Sequence, residues 1–189
     1  MKTKNYILAA ILTIVTLGLN AQQNNINTEA SNINWLGKKI IGQHDGAVKL
    51  KSGSLLIENN QITGGAFTID MQSITCYDIE DAESNGKLIS HLKNDDFFGV
   101  DNHPTATLKI TKATAFKDSK ATVTGEFTIK SKTQTINFEV IKEKESYLAK
   151  IEIDRTKHDI KYGSASFFDS LGDKAIDNIF TLDVKLVLN

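Results

Sequence analysis

Residues 120–154 read KATVTGEFTIKSKTQTINFEVIKEKESYLAKIEID. In this stretch Phe127 and Ile129 alternate with Glu126 and Thr128, so one side of the extended chain is apolar and the other is polar. Short polar segments interrupt the alternation, as is typical of connections between antiparallel strands. The pattern therefore predicts a series of β-hairpins, each with one buried face.

The same period of two continues along most of the chain. Clear alternation occurs at 67–71, 106–110, 123–129, 149–153 and 180–188, and weaker alternation occurs at 33–39, 46–51, 55–57 and 136–141. The expected hairpin connections are 59–60, 117–120, 131–134 and 142–145. A sheet that is apolar on one face must be covered by a second sheet or must close on itself. Because eight or nine strands suit closure, we predict an all-β fold, an antiparallel eight-stranded β-barrel.

One segment departs from this period. In residues 81–92, Leu88 and Leu92 lie four positions apart on one helix face, although Gly86 weakens a helix. We expect a short helix here, within a long connection that begins near Ile74. Long connections often carry function. This one is expected to cross one end or one side of the barrel.

The first residues have the layout of an export signal. Lys2 and Lys4 precede an uncharged, mostly apolar run at 6–19. At about 1.5 Å per residue, a helix of this run is too short to cross a hydrocarbon core of roughly 30 Å. The predicted divisions are a signal peptide at 1–21, a loose Gln- and Asn-rich segment at 22–30 and the barrel domain at 31–189. We expect an exported protein of the periplasm, with secretion as the alternative; an amphipathic or buried N-terminal helix would be the other interpretation.

The composition excludes several classes of protein. The formal net charge is −1 and Arg155 is the single arginine, so the composition gives no sign of a basic surface that would bind a nucleic-acid backbone. With Cys76 as the only cysteine, an internal disulfide and a cysteine-rich zinc site are excluded as well. The sequence contains no hydrolase, nucleotide-binding or metalloprotease motif. We therefore expect no catalysis, no cofactor and no nucleic-acid partner.

Two groups of side chains offer weaker alternatives. Cys76 paired with a histidine would make a nucleophile, but a lone cysteine at the end of an apolar strand is more often a packed residue. The densest group of metal donors is His91, Asp95, Asp96, Asp101 and His103. Acids in a polar loop usually stay solvated or cap a helix, so no metal site is predicted.

Arg155 and the pair Phe97 and Phe98 each have two interpretations. A guanidinium ties several backbone carbonyls or a carboxylate better than an ammonium does. Structural anchoring is therefore favoured for Arg155 over contact with a ligand's polar head group. One phenylalanine would plug the barrel while the other gates an opening, or both would fix their loop to the core, which is the commoner role of adjacent rings.

Three segments carry a resemblance. The first is HLKNDDFF at 91–98, followed by Pro104-Thr105-Ala106; the second contains Trp35, Gly37, Lys39, Gly42, His44 and Gly46; the third contains Asp154, Arg155, Ile160, Tyr162 and Gly163. In order and spacing they resemble the YceI-like proteins, the lipid- or polyisoprenoid-binding family, over about residues 31–188. The family-motif residues are His44, His91, Leu92, Asp96, Phe97, Phe98, Pro104, Asp154, Arg155, Tyr162 and Gly163.

The resemblance implies a lipocalin-like barrel that holds a long isoprenoid chain in an apolar tunnel. It also implies an exported bacterial protein, often dimeric. His103 and His158 stand where the family usually has aromatic residues, which implies a tunnel mouth of different width.

We therefore expect a carrier for an isoprenoid quinone, a polyprenyl chain or another long-chain lipid, with transient membrane contact and a homodimer as further expectations. The predicted ligand-binding side chains are Trp35, Phe67, Ile69, Leu108, Phe127, Ile129, Phe138, Ile151, Phe180 and Leu182. The alternative is a non-catalytic, stress-related structural or interaction module whose barrel is filled by its own side chains. A third hypothesis, an enzyme acting on a bound lipid, requires His44 or His158 to project into the tunnel.

Overall fold

The computed structural model describes residues 22–189, and the predicted signal peptide at 1–21 lies outside the described residues. The strands are β1 (Gln22–Asn25), β2 (Asn32–Lys39), β3 (Gln43–Glu58), β4 (Gln61–Asp70), β5 (Thr105–Ala113), β6 (Lys120–Ile129), β7 (Lys132–Lys142), β8 (Ser146–Asp154) and β9 (Ile176–Val187). One α-helix, α1 (Ala82–Lys93), and 3₁₀ turns at Met71–Ser73, Arg155–His158 and Gly172–Lys174 complete the secondary structure of this part of the chain. Nowhere in it does a helix have the length and apolar character needed to span a bilayer.

Strands β2 to β9 close into an eight-stranded antiparallel barrel, which confirms the predicted fold. Around the barrel the order is β3-β2-β9-β8-β7-β6-β5-β4, and β4 pairs again with β3. Closure depends on the length of β3, which pairs with β2 through 43–48 and with β4 through 49–58. Strand β1 is an extra strand alongside residues 54–57 of β3.

The period of two produces the core of this barrel. In β6, Val123, Phe127 and Ile129 are at most 3% exposed, whereas Thr122 and Glu126 face solvent. The inward side chains of all eight strands meet in one apolar cluster. Removing these side chains from water is the main force that closes the sheet.

Strand β3 is longer than the sequence predicts. The segments 46–51 and 55–57 belong to this one strand, whose pairing with β4 shifts register between Leu50 and Ser52. A register shift bends a strand and changes which face its residues present. The break in alternation therefore marks a bend, and the chain does not leave the sheet there.

Two other expectations differ from the structure. The hairpin between β6 and β7 turns at Lys130 and Ser131, with φ of 47° and 59°, and not over 131–134. Neither residue type signals a left-handed turn, so the sequence places the turn too late. Residues 22–30, expected to be loose, begin with β1, and Ile26 is 4% exposed.

The two ends of the barrel are built differently. At the hairpin end, strands are joined by the connections 59–60, 114–119 and 143–145. At the loop end they are joined by 40–42, 71–104, 130–131 and 155–175. The predicted helix is confirmed as α1 within 71–104, and it begins after Asp81, whose carboxylate accepts a hydrogen bond from the Ser84 N–H at 2.8 Å.

Candidate ligand-binding site

The barrel interior contains two apolar cavities that lie end to end. The loop-end cavity has a volume of about 90 Å³. The hairpin-end cavity has a volume of about 60 Å³. Ile69, Phe127 and Leu182 line both and form a waist between them. The interior is therefore partly hollow along the barrel.

All ten side chains predicted to bind a ligand lie on the walls of these cavities. Trp35, Ile129 and Phe180 line the loop-end cavity; Phe67, Leu108, Phe138 and Ile151 line the hairpin-end cavity; Ile69, Phe127 and Leu182 form the waist. Alternation identifies them because the inward faces of successive strands form one continuous surface. Their contact with a ligand stays a prediction.

Part of the loop-end wall was not predicted. Met71, Ile74 and Leu92 line this cavity from the connection 71–104. Leu92 is signalled by its helical spacing from Leu88, and Met71 continues the alternation at 67–71, but Ile74 lies beyond both patterns. Which way the Ile74 side chain turns depends on how the connection folds back.

A close backbone contact fixes that connection. A Cβ on Gly46 would lie 1.9 Å from the Thr75 carbonyl oxygen, so only glycine fits at this position of β3. The Trp35 indole Nε1–H donates to the same oxygen at 3.0 Å. Gly46 and Trp35 thus hold the connection where Ile74 reaches the cavity.

Phe97 and Phe98 form the outer wall of the loop-end cavity. Their rings meet edge to face with centroids 5.1 Å apart, and the Phe98 ring meets Phe180 in the same way at 6.2 Å. The Phe98 N–H donates to the Leu92 carbonyl oxygen at 3.1 Å, which turns the chain back after α1. Phe97 is buried and Phe98 is partly exposed, and both line the cavity. The pair fixes the connection and closes the cavity at once.

Arg155 is an anchor, as favoured from the sequence. It is 2% exposed and donates hydrogen bonds to four backbone carbonyls: Asp177 at 2.9 Å, Ile160 at 2.9 Å, Tyr162 at 2.8 Å and Ile176 at 3.0 Å. Burial lowers the pKa of Arg155, and the charges of Asp154 and Asp177 oppose that shift. One guanidinium therefore ties the connection 155–175 to the start of β9 beside the loop-end cavity.

A family model of the YceI-like domain matches residues 25–188. The chain belongs to the YceI-like family. No curated protein matches the sequence. The barrel is similar to a number of solved structures, at sequence identities that show a shared fold alone. BcnA of Burkholderia cenocepacia has 19% identity and a TM-score of 0.70, over 87% of this chain and 99% of that chain.

The second similar structure is a polyisoprenoid-binding domain from Saccharophagus degradans implicated in plant cell wall breakdown. It has 13% identity and a TM-score of 0.64, over 90% of this chain and 99% of that chain. The third, the Campylobacter jejuni YceI protein, has 17% identity and a TM-score of 0.53, over 99% of both chains. The YceI-like fold therefore persists at low sequence identity.

The other YceI-like motif residues support the loop end. The Asp154 carboxylate accepts hydrogen bonds from the N–H and hydroxyl of Thr156, at 3.0 and 2.6 Å, and so caps a 3₁₀ turn. Gly163 has a φ of +61°, a backbone conformation that favours glycine. Asp96 and Pro104 are exposed and lie away from the cavity walls. Most of the motif is therefore structural.

His158, at a position where YceI-like proteins often have an aromatic residue, packs as one here. It is 1% exposed, and its ring meets Phe127 edge to face at 6.1 Å. Its Nδ1 lies 2.8 Å from the Lys132 carbonyl oxygen. Burial lowers the pKa of His158, so the ring is neutral near pH 7. It lines neither cavity.

His44 lies outside the cavities and belongs to a hydrogen-bonded group that we call the latch, formed by His44, Asp45, Cys76 and Asp78. Its Nδ1 is 2.8 Å from Asp78 Oδ2, while Asp78 Oδ1 accepts from the Asp45 N–H at 3.0 Å and from the Cys76 thiol at 3.2 Å. Burial acts to raise the pKa of Asp78, but these hydrogen bonds outweigh it and lower the pKa to about 2. Burial and the bond to Asp78 raise the pKa of Cys76, which disfavours a nucleophilic thiolate. The group fastens the connection 71–104 to β3.

The remaining histidines are apart from each other. The His91 ring packs against Phe97 at 5.7 Å and Tyr162 at 4.4 Å, and its buried Nε2 has no hydrogen-bond partner among the described residues. His103 Nδ1 lies 3.3 Å from the Ser131 hydroxyl. Within residues 22–189, no three His, Cys, Asp or Glu side chains come close enough together to hold a metal ion.

Proposed function

We propose that the protein is an exported carrier that holds a long isoprenoid chain, quinone-like or polyprenyl, for transport or storage. The observation that carries the proposal is the pair of apolar cavities that share one waist inside the barrel. Burying each methylene contributes about 0.8 kcal/mol. Several isoprene units therefore offset the cost of association and of ordering the chain.

The cavities must widen to admit such a chain. Each is smaller than the roughly 150 Å³ that suffices for one benzene molecule. A ligand that occupies both cavities must displace side chains of the waist, of which Phe127 is the largest. The proposed ligand is accordingly slender and flexible, as an isoprenoid chain is.

A similar fold in a polyisoprenoid-binding domain supports the same ligand class here. Binding without catalysis fits the lining, because neither His44 nor His158 is on the cavity walls. A periplasmic address, transient membrane contact and a homodimer complete the proposal. The small cavity volumes favour a second candidate, a non-catalytic stress-related module with a nearly filled barrel.

An organic extract separates the two candidates. The protein would be purified from its native host and extracted, and the extract analysed by mass spectrometry. The carrier predicts an isoprenoid at a stoichiometry near one per barrel. Repeatedly empty preparations would favour the filled-barrel module.

Substitutions at the waist test the assigned site. Phe127→Glu places an unpaired carboxylate between the two cavities and is expected to abolish uptake of a long polyprenol, measured by co-elution of radiolabelled polyprenol. Thr107→Glu puts the same group on the exposed outer face of β5 and should load normally. Phe127→Ala, which widens the waist, should fold and load, at a loss of about 3–5 kcal/mol in the free energy of unfolding. A folded Phe127→Glu protein that loads fully would refute the site.

A further inference from the structure

The exposed apolar side chains of the barrel are confined to one end. We call six of them the rim: Ile40, Ile41, Tyr77, Tyr162, Phe167 and Phe168, each between 45% and 66% exposed. They belong to the connections 40–42, 71–104 and 155–175, all of which lie at the loop end. Among residues 22–189, no large hydrophobic side chain is comparably exposed at the hairpin end. An exposed apolar patch of this kind marks an interaction site.

The rim adjoins the loop-end cavity. Lys39 and Ile40 line a surface groove together with Ala165, Ala175 and Ile176. Ile176 also lines the loop-end cavity from the inside. The Ile176 side chain is therefore a wall shared by the groove at the rim and the apolar interior.

The barrel wall is irregular at the same place. Gly37 pairs with Phe180 and Lys39 pairs with Ile176, so an advance of two residues along β2 corresponds to four residues along β9. Gly37 lines the cavity, and a Cβ there would meet no atom within 4 Å. The irregular stretch between β2 and β9 is thus flanked by a residue with no side chain and by Ile176.

The backbone around this irregular stretch is held firmly. Arg155 donates to the carbonyls of Ile176 and Asp177. The Ser164 hydroxyl donates to Asn178 Oδ1 at 2.6 Å, and Asn178 Nδ2 donates to the Ser166 hydroxyl at 2.8 Å. Rotation of the Ile176 side chain can join the groove to the loop-end cavity while these hydrogen bonds keep the backbone in place.

The composition of the rim fits a lipid surface. Isoleucine, phenylalanine and tyrosine beside lysine are the residues that bind at the boundary between lipid head groups and acyl chains. Lys161 Nζ lies 5.3 Å from the centroid of the Phe167 ring. Along the chain beside the rim, the cations Lys38, Lys39, Lys161 and Lys174 are outnumbered by the acids Asp78, Glu80, Asp81, Asp159, Asp169, Asp173 and Asp177, and Lys161 Nζ is paired with Asp159 Oδ1 at 2.8 Å. Such a surface favours apolar insertion into a neutral bilayer over attraction to anionic lipid.

We propose that the loop end docks on a lipid bilayer through the rim, and that the isoprenoid chain enters between Gly37 and Ile176. This proposal rests on the proposed carrier function. An apolar chain that leaves a bilayer at this point passes from acyl chains to the cavity with little exposure to water, which lowers the cost of transfer. The first described strand begins beside Ile57, at the end opposite the rim.

Docking is tested by flotation with phosphatidylcholine vesicles. The protein would be purified as the expressing cells process it, with its N-terminus established by mass spectrometry. We expect Ile40→Ser/Ile41→Ser to lower the vesicle-bound fraction about tenfold, because two exposed apolar side chains are lost. Ile40→Leu/Ile41→Leu should bind as the unaltered protein does, and Lys38→Gln/Lys39→Gln should lose less than about twofold.

A second measurement separates docking from ligand binding. Ile40→Ser/Ile41→Ser should still take up polyprenol from detergent micelles. Its rate of polyprenol uptake from vesicles should fall because it binds them less. If the unaltered protein takes up no polyprenol from micelles, the carrier function itself fails. If the unaltered protein takes up polyprenol but does not float with vesicles, the docking surface is wrong. The same holds if Ile40→Ser/Ile41→Ser floats as well as the unaltered protein. Ultracentrifugation would overturn the proposal if it showed that the unaltered protein is a dimer and that Ile40→Ser/Ile41→Ser is a monomer. That result would assign the rim to self-association.

The entrance is tested with Gly37→Leu, which places a side chain at the proposed entrance, where there is room for its Cβ. We expect vesicle binding to be unchanged and the rate of polyprenol transfer to fall at least about tenfold, since the entrance is blocked. Ser52→Leu adds the same side chain to an exposed position of β3 and serves as the control. Unchanged transfer by Gly37→Leu would place the entrance elsewhere.

Discussion

The two ends of the barrel close the same set of strands by different means. At the hairpin end, Asn59 and Asn60 join β3 to β4 with φ of 47° and 62°, and Asp118 and Ser119 turn similarly before β6. At the loop end, the connections 71–104 and 155–175 are held by long-range contacts. The short turns of the hairpin end only connect the strands. The loop end contains a buried cation, an apolar rim and the larger cavity.

The largest expected effect is at the loop end, at Arg155. Arg155→Met leaves four carbonyls without their donors, and an unpaired buried polar group costs about 1–3 kcal/mol. We expect the free energy of unfolding to fall by about 3 kcal/mol or more, measured by urea denaturation. Hydrogen exchange should show the loss first in 155–175, because that connection depends on the guanidinium.

Lys157→Met supplies the matched control, since it makes a similar change at an exposed position of the same 3₁₀ turn. Its free energy of unfolding should stay within about 0.5 kcal/mol of the unaltered protein. Equal effects of the two substitutions would show that Arg155 is not the anchor of this end.

A smaller effect depends on pH and belongs to the latch at Asp78. Its pKa is about 2 in the folded protein and about 3.9 in an unfolded chain. As the pH falls, the unfolded state binds the proton first, so the latch stabilises fully above about pH 4 and loses this stabilisation between pH 4 and 2.

Asp78→Asn removes this contribution. We expect it to cost about 1 kcal/mol at pH 6, after allowance for solvent screening of a partly exposed carboxylate. The difference from the unaltered protein should shrink as the pH approaches 2, as measured by urea denaturation at several pH values. A difference that stays constant over this range would show that the carboxylate charge does not stabilise the connection.

The smallest effect is expected at the hairpin end. Ser119 has a φ of 65°, and glycine adopts this conformation without the penalty that a Cβ brings. Ser119→Gly should raise the free energy of unfolding by about 0.5 kcal/mol, because the relief of strain exceeds the added entropy of the unfolded chain. Ser52→Gly, in an exposed part of β3, should lower it by a similar amount. A loss at both positions would mean that the turn at Ser119 is not strained.

Much of the barrel wall was predictable because it depends on local alternation. The clear alternation at 67–71, 106–110, 123–129, 149–153 and 180–188 supplies eight of the ten predicted lining residues, and the weaker alternation of β2 and β7 supplies Trp35 and Phe138. Strand β1 was missed because Gln and Asn carry no strand signal, and β1 exists only through pairing with β3. The turn at Lys130 was misplaced because the strand twist, and not its residue type, sets its conformation.

The loop end was predictable only in part. Arg155 stood out as a unique arginine, but two of its four acceptors come from the connection 155–175 and two from β9, and only the folded chain brings them together. The rim carries no periodic signal, since Ile40 and Phe167 are far apart in sequence. The uneven pairing of β2 with β9 beside Gly37 likewise depends on register, which a strand pattern alone leaves open.

The sequence by itself determined which side of each strand avoids water, since alternation is a property of neighbouring residues along one extended chain. The tertiary structure decided how closely those sides meet, leaving a partly hollow interior with a narrow waist. It also decided that the exposed apolar side chains gather at a single end. The physical reason is range: strand patterning acts over a few residues, whereas cavity width and surface composition arise from side chains that become neighbours only after the barrel closes.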